Sequence, residues 1–281
     1  MNHIAVIGSG TMGHGIAQVC AMAGYSVHLY DVNTPTLDTA MDTIRANLDK
    51  GIARGKVTAE QRDTALAKLI ATADFPTAVA AADCIIEAIP ERLDWKIDVF
   101  QRAESIAPTH CIFATNTSSL SVAAIAQPLA NPSRVIGTHF FNPVHIMALL
   151  EIIISTYTAP DVVETIAQFG ATIGKEVIRV QDFPGFATSR LGVCLGMEAI
   201  RMVEQGVASA EDIDTAMVLG YRHPVGPLKL TDMVGLDVRM AIGEYLAKEL
   251  NNPAFSPPEL MRTMVNAGKL GKKSGSGFYE W

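Results

Sequence analysis

No stretch of this 281-residue chain reaches about 18 apolar residues before a charge, proline or glycine interrupts it. No membrane span is therefore expected, although apolar residues make up 49% of the chain. The opening run Met1-Asn2-His3-Ile4 has no basic stretch ahead of an apolar segment, so it does not read as a secretory signal. Cysteine is scarce. Cys20, Cys84, Cys111 and Cys194 lie far apart in apolar contexts and form no CxxC pair. That argues against a disulfide framework and a zinc site, and no metal is expected; four buried thiols suit a reducing cytoplasm. Positive charge is also short, with 22 Lys and Arg against 29 Asp and Glu, a net −7. A phosphate-coating surface is excluded, and with it nucleic acid as a partner. Charged residues reach only 18%, so global disorder is excluded as well.

What the chain does have is a regular alternation. Short continuous apolar runs recur: Ile4–Ile7, Val27–Tyr30, Leu69–Ala71, Cys84–Glu87, Cys111–Ala114 and Val135–Thr138. Helical stretches separate most of them, which predicts βαβ units and a mostly parallel sheet. A helical stretch covers 35–68 with a break at Gly51–Gly55, and Thr58 with Gln61 has capping-box spacing for a new helix. The connection from His139 to Leu150 is too short for a crossover helix and contains Pro143, so the strand Leu150–Ile154 is expected to run antiparallel to its predecessor. A further strand is expected at Glu176–Val180. After Asp182-Phe183-Pro184-Gly185 the pattern is helical: 186–206, a helix capped by Ser209, one over 227–249, and one starting at Ser256-Pro257. The expected class is α/β with two domains, 1–183 and an all-helical 184–281.

Four constellations carry chemistry. Gly8-Ser9-Gly10-Thr11-Met12-Gly13 follows a strand and opens a helix. Gly8 permits the tight turn, Gly10 admits a pyrophosphate and Gly13 allows close helix–strand packing. Asp31 ends the second strand, where a carboxylate suits ribose hydroxyls and repels a 2′-phosphate, so the cofactor is read as NAD. Asn116-Thr117-Ser118-Ser119 sits at the carboxyl end of a strand. Its hydroxyls can meet a substrate oxygen, or Ser118 or Ser119 can cap the next helix. His139 ends a strand at the same edge, and the antiparallel turn brings Glu151 beside it, a pairing that makes the imidazole a base. Lys50, Arg54 and Lys56 form a basic face, with Lys50 and Arg54 one helical turn apart; it can receive an anionic tail or simply be solvated.

Together these residues resemble the short-chain L-3-hydroxyacyl-CoA dehydrogenase family, which includes 3-hydroxybutyryl-CoA dehydrogenases. The likeness runs through GSGTMGHG at Gly8–Gly15, EAIPE at Glu87–Glu91 with Lys96, NTSSL at Asn116–Leu120, HFFNP at His139–Pro143, Glu151, Pro184-Gly185-Phe186 and the final Lys273–Tyr279 segment. The resemblance implies a Rossmann-type NAD-binding domain, a helical domain through which homodimers form, and NAD-dependent oxidation of an acyl-CoA 3-hydroxyl. Carried over, His139 is the base with Glu151 as partner, Ser118 meets the reacting oxygen, and Asn116 and Asn142 line the site. Glu91, Lys96 and Lys273 lie near the cofactor, and Lys50 and Lys56 near the coenzyme A. Ser189 stands where the family commonly has Asn, a shorter side chain with one donor instead of two, still placed at the substrate. The rival is a related dehydrogenase of a free hydroxy acid or sugar acid, of the gulonate type.

Overall fold

Runs such as Ile4-Ala5-Val6-Ile7 have no polar face to turn to water, and they are buried as strands of a single sheet. The computed structural model describes residues 1–281. They divide into two compact units, Met1–Asp182 and Phe183–Trp281.

The strands of the first unit are β1 His3–Ile7, β2 Ser26–Tyr30, β3 Leu69–Thr72, β4 Cys84–Glu87, β5 Ile112–Thr115, β6 Val135–Phe140, β7 Leu149–Ile154 and β8 Glu176–Gln181. Their order across the sheet is β3-β2-β1-β4-β5-β6-β7-β8. Strands β1 to β6 pair in parallel, β7 pairs antiparallel with β6, and β8 runs parallel to β7. The chain moves outward from β1 to β3 and then restarts on the other side of β1 with β4. That reversal opens a crevice at the carboxyl ends of β1 and β4, where open α/β sheets bind ligands. Seven helices accompany the sheet: α1 Gly13–Met22, α2 Thr34–Ala53, α3 Ala59–Ala67, α4 Phe75–Val79, α5 Leu93–Glu104, α6 Val122–Ala126 and α7 Pro160–Thr172. Helix α3 opens on the capping box, with Thr58 Oγ1 accepting from the Gln61 N–H and Gln61 Oε1 from the Thr58 N–H.

The second unit has five helices, α8 Thr188–Glu204, α9 Ala210–Tyr221, α10 Pro227–Val234, α11 Leu236–Glu249 and α12 Glu259–Asn266, around a core that includes Met197, Ile200, Leu228, Leu236 and Leu246. The single helix expected over 227–249 is two helices. Gly235 at φ +104 breaks it, a conformation that side chains avoid. Helix α12 starts at Glu259, not at Ser256: Ser256, which precedes a proline, is extended, and Pro258, also extended, is the N-cap. Helix α8 starts at Thr188, after Gly185 and Phe186 have both taken positive φ.

Two buried carboxylates tie the chain's last residues into this unit. Asp214 accepts from the Leu228 and Lys229 N–H groups, both at 2.8 Å, satisfying the first turn of α10, and also from the Tyr279 hydroxyl at 2.8 Å. Asp232, 1% exposed, accepts from the N–H groups of Phe278 at 3.0 Å and Tyr279 at 2.9 Å and from the Trp281 indole at 2.9 Å. A Cβ on Gly277 would lie 2.3 Å from that carboxylate.

Candidate active site

The glycine turn between β1 and α1 is fixed by close approaches. Gly8 has φ +97, and a Cβ there would lie 2.8 Å from the Ala88 carbonyl oxygen; one on Gly13 would lie 1.7 Å from the Gly8 oxygen. Gly10 meets nothing within 4 Å, so its backbone is open to an incoming group. Asp31, just past β2, is held by Ser9, whose N–H and hydroxyl donate to Oδ2 at 2.9 and 3.0 Å. A cavity of about 810 Å³ lies over this turn, lined by Gly8, Gly10, Asp31, Ile89 and Trp95 among others. Its size suits a small-molecule or cofactor site. The bare Gly10 backbone and the oriented Asp31 fit a pyrophosphate and a ribose diol, as a dinucleotide requires.

A polar network fills the carboxyl ends of β4 and β5. Lys96 on α5 is 1% exposed, and its ammonium lies 2.7 Å from Glu87 Oε1 and 3.3 Å from Glu91 Oε2. Glu87 also accepts from the Thr115 hydroxyl at 2.6 Å and the Ile89 N–H at 2.8 Å. Burial pushes the Glu87 carboxyl above its ordinary range, against the opposing pull of Lys96. Burial also works against Glu91. There Lys96 and the bonds from Thr117 and Ser118 outweigh it, and the carboxyl is held below the usual range. Glu91 Oε1 accepts from Thr117 Oγ1 at 2.6 Å and from the N–H groups of Ser118 at 2.9 Å and Ser119 at 3.2 Å. A single carboxylate oxygen thus shapes the 117–119 turn. The helix-capping reading of Ser118 and Ser119 does not hold, because Ser121 caps α6, accepting from the Ala124 N–H at 3.2 Å.

At the end of β6 the antiparallel register sets His139 directly opposite Glu151. His139 Nδ1 lies 2.7 Å from Glu151 Oε2, with the carboxylate fully buried and the imidazole nearly so. Asn116 Oδ1 accepts from the Phe140 N–H at 2.9 Å, and the Asn116 N–H donates to the Glu87 carbonyl at 2.8 Å. The ends of β4, β5 and β6 are thereby cross-linked next to the histidine.

Residues 3–183 match the family model described as 3-hydroxyacyl-CoA dehydrogenase, NAD binding domain, and residues 185–281 match its C-terminal domain. The chain belongs to the 3-hydroxyacyl-CoA dehydrogenase family. The 3-hydroxyadipyl-CoA dehydrogenase of Escherichia coli K12 is 42% identical over 99% of this chain, which spans 58% of that relative's length. A probable 3-hydroxybutyryl-CoA dehydrogenase of Bacillus subtilis is 39% identical over 100% of this chain and 98% of its own. The crystal structure of (S)-3-hydroxybutyryl-CoA dehydrogenase from Ralstonia eutropha matches with a TM-score of 0.96 at 37% identity, covering 100% of this chain and 99% of that one. In this dehydrogenase family the domain formed by residues 3–183 is the NAD-binding one, so NAD is the cofactor. No helix is long and apolar enough to cross a membrane.

Of the residues singled out in the sequence, the carboxyl edge of the sheet gathers Gly8, Gly10, Asp31, Glu91, Asn116, Ser118, His139 and Glu151. Thr11 is exposed beside the turn, Met12 packs partly against the core, and Asn142 is exposed after β6. Lys96 lies beneath this edge with its ammonium turned to Glu87 and Glu91. Lys50, Arg54 and Lys56 are exposed at the end of α2. Arg54 caps α2, and its N–H still donates to the Lys50 carbonyl oxygen at 3.2 Å, so the two lie one turn apart at the helix end, just before Gly55 takes φ +66. Ser189 lies in the first turn of α8 in the second unit, where Lys273 also lies, its ammonium 2.6 Å from Asp237 Oδ2. Sequence reasoning quoted Glu87 but gave it no role. A carboxylate ending the otherwise apolar Cys84-Ile85-Ile86 run, with a lysine nine residues on, was the available clue.

Proposed function

We propose that the protein reversibly oxidises a short-chain (3S)-3-hydroxyacyl-CoA, of 3-hydroxybutyryl size, to the 3-ketoacyl-CoA. The observation behind this is the 2.7 Å pairing of His139 with the buried Glu151 at the carboxyl edge. With Nδ1–H given to the carboxylate, the neutral ring carries its basic lone pair on Nε2. A proton taken there from the 3-hydroxyl leaves an imidazolium that Glu151 stabilises. NAD, when bound, accepts the hydride from C3. Ser118, its backbone set by Glu91, offers a hydroxyl to the substrate oxygen as charge builds there. Ser189 supplies a further hydrogen bond to the substrate. Lys50, Arg54 and Lys56, which make no ion pair within the chain, serve the coenzyme A phosphates.

The test follows NADH consumption with acetoacetyl-CoA and, separately, with free acetoacetate. Turnover of the thioester alone, reduced about 10²–10⁴-fold by His139→Gln, supports the reading. Equal use of the free acid would favour the hydroxy-acid alternative, and an undiminished His139→Gln rate would overturn the base.

The helical unit leaves Leu191, Leu219 and Tyr221 at 72%, 75% and 76% exposed, and we assign this surface to a homodimer contact. A stable monomer by sedimentation at micromolar concentration would refute that. All four cysteines are unpaired thiols, in keeping with a reducing cytoplasm.

A further inference from the structure

Asp31 follows β2, the glycine turn follows β1 and His139 ends β6, all at one edge of the sheet. A dinucleotide lies across such an edge, with its ribose at the acidic residue and its pyrophosphate at the glycine turn. The ring that exchanges the hydride must lie between that turn and His139. Only β4 and β5 separate β1 from β6, so the nicotinamide belongs over the ends of those two strands.

The same strand ends hold Glu87, Lys96 and Glu91. Ala88, Ile89 and Pro90, the stretch between the two carboxylates, line the cavity. The Ile89 N–H donates to Glu87 Oε1 at 2.8 Å, and its carbonyl oxygen lies 3.4 Å from the Lys96 ammonium. Both oxygens of Glu87 accept: Oε1 from Lys96 and Ile89, Oε2 from the Thr115 hydroxyl. A carboxyl that only accepts is the ionised form. Glu91 likewise accepts, from Thr117 and Ser118. Two carboxylates thus share one ammonium, and the trio carries a net −1. Either of them alone would neutralise Lys96, so the second calls for a reason. Glu87 and Lys96 are 0% and 1% exposed, where water screens charge poorly. Glu151, a further buried carboxylate of this edge, is taken by His139.

We propose that Glu87 keeps an unbalanced negative charge beneath the nicotinamide and thereby favours the oxidised cofactor, whose ring is a cation, over the reduced one, whose ring is neutral. The inference rests on His139 marking the reacting end of the site, as assigned above. The two cofactor forms share their adenine, riboses and pyrophosphate, so the ratio of their affinities isolates the ring. The bias also holds oxidised NAD in place against competition from the NADH that the reaction produces.

The experiment titrates the full chain with NAD and, separately, with NADH by calorimetry at about pH 8, without thioester, where carboxylates are ionised. Glu87→Gln keeps the size of the side chain and an acceptor oxygen but removes the charge. It should weaken NAD relative to NADH by about tenfold, the scale of unit charges roughly 10 Å apart at an effective dielectric constant near 20. Glu91→Gln makes the same change of charge at the other carboxylate and should move the ratio the same way; it carries the test if the first variant does not fold. Asp31→Ala, at the adenosine end, should weaken both forms alike. A ratio that stays within twofold of wild type in the Gln variants, whether or not both affinities fall, would mark the carboxylates as structural and overturn the proposal. An undiminished His139→Gln turnover would instead unseat the base, while the ratio still reports the charge.

Discussion

Replacing Glu151 with Gln tests the catalytic pair without disturbing its shape. The side chains are isosteric, and Gln Oε1 can still accept the Nδ1–H that Glu151 Oε2 meets at 2.7 Å. Before any proton moves, little changes. The difference falls on the transition state, where the ring becomes positive beside a fully buried partner that no longer carries charge. Charge centres about 4 Å apart at an effective dielectric constant near 20 interact by about 4 kcal/mol. With the proton half to fully transferred, the loss is roughly 2–4 kcal/mol, or about thirty- to a thousandfold in the chemical step. The assay is single-turnover reduction of enzyme-bound NAD by (3S)-3-hydroxybutyryl-CoA, the direction in which the ring takes up the proton, which keeps product release from masking the chemistry. Binding of NADH should stay within about twofold. A rate within threefold of wild type would mean that the carboxylate only packs against the ring, and the proton-transfer role would fall.

Asp31→Ala should weaken NADH binding and narrow the preference over NADPH, because it removes both a ribose acceptor and a charge that repels a 2′-phosphate; parallel titrations of the two cofactors check this. Lys96→Met leaves Glu87 buried without its cation and should lower stability by about 3–5 kcal/mol in a denaturant titration, while the 117–119 turn loosens with the loss of Glu91's anchor. Asp83 gives a pH signature. Burial alone would raise its carboxyl, but the N–H groups of Asn2 and His3 and the His110 ring bring it from 3.8 to about 2. A carboxyl lowered on folding stabilises above its unfolded value and loses that contribution as pH falls. The gap in melting temperature between wild type and Asp83→Asn should thus be constant near neutrality and close between pH 4 and pH 2; a gap independent of pH across that window would refute it.

The sheet was legible because its strands are buried on both sides and read as unbroken apolar runs. The antiparallel return of β7 followed from a connection too short to cross the sheet, and that one deduction set His139 opposite Glu151. What escaped was carried by single backbone angles and by side chains distant in sequence. Gly235 looks like any helix glycine until its φ of +104 is seen. No spacing rule announces that Glu91 Oε1 gathers donors from 117, 118 and 119, or that Asn116 ties the strand beside His139. The close approach of Gly15 to Val144, more than a hundred residues away, is likewise something that local patterning does not record.

The carboxylate of Asp232 has an implication for how this polypeptide is made. It leaves the ribosome 46 to 49 positions ahead of the donors that satisfy it. Until Phe278, Tyr279 and Trp281 have been synthesised, α10 carries an acid destined for a site 1% exposed with none of those partners. The helical unit therefore completes its bonding only after translation reaches residue 281. Deleting residues 278–281 alone would strip all three donors at once. By the cost of an unpaired buried charge, so short a truncation would be far more damaging than trimming a loop of equal length.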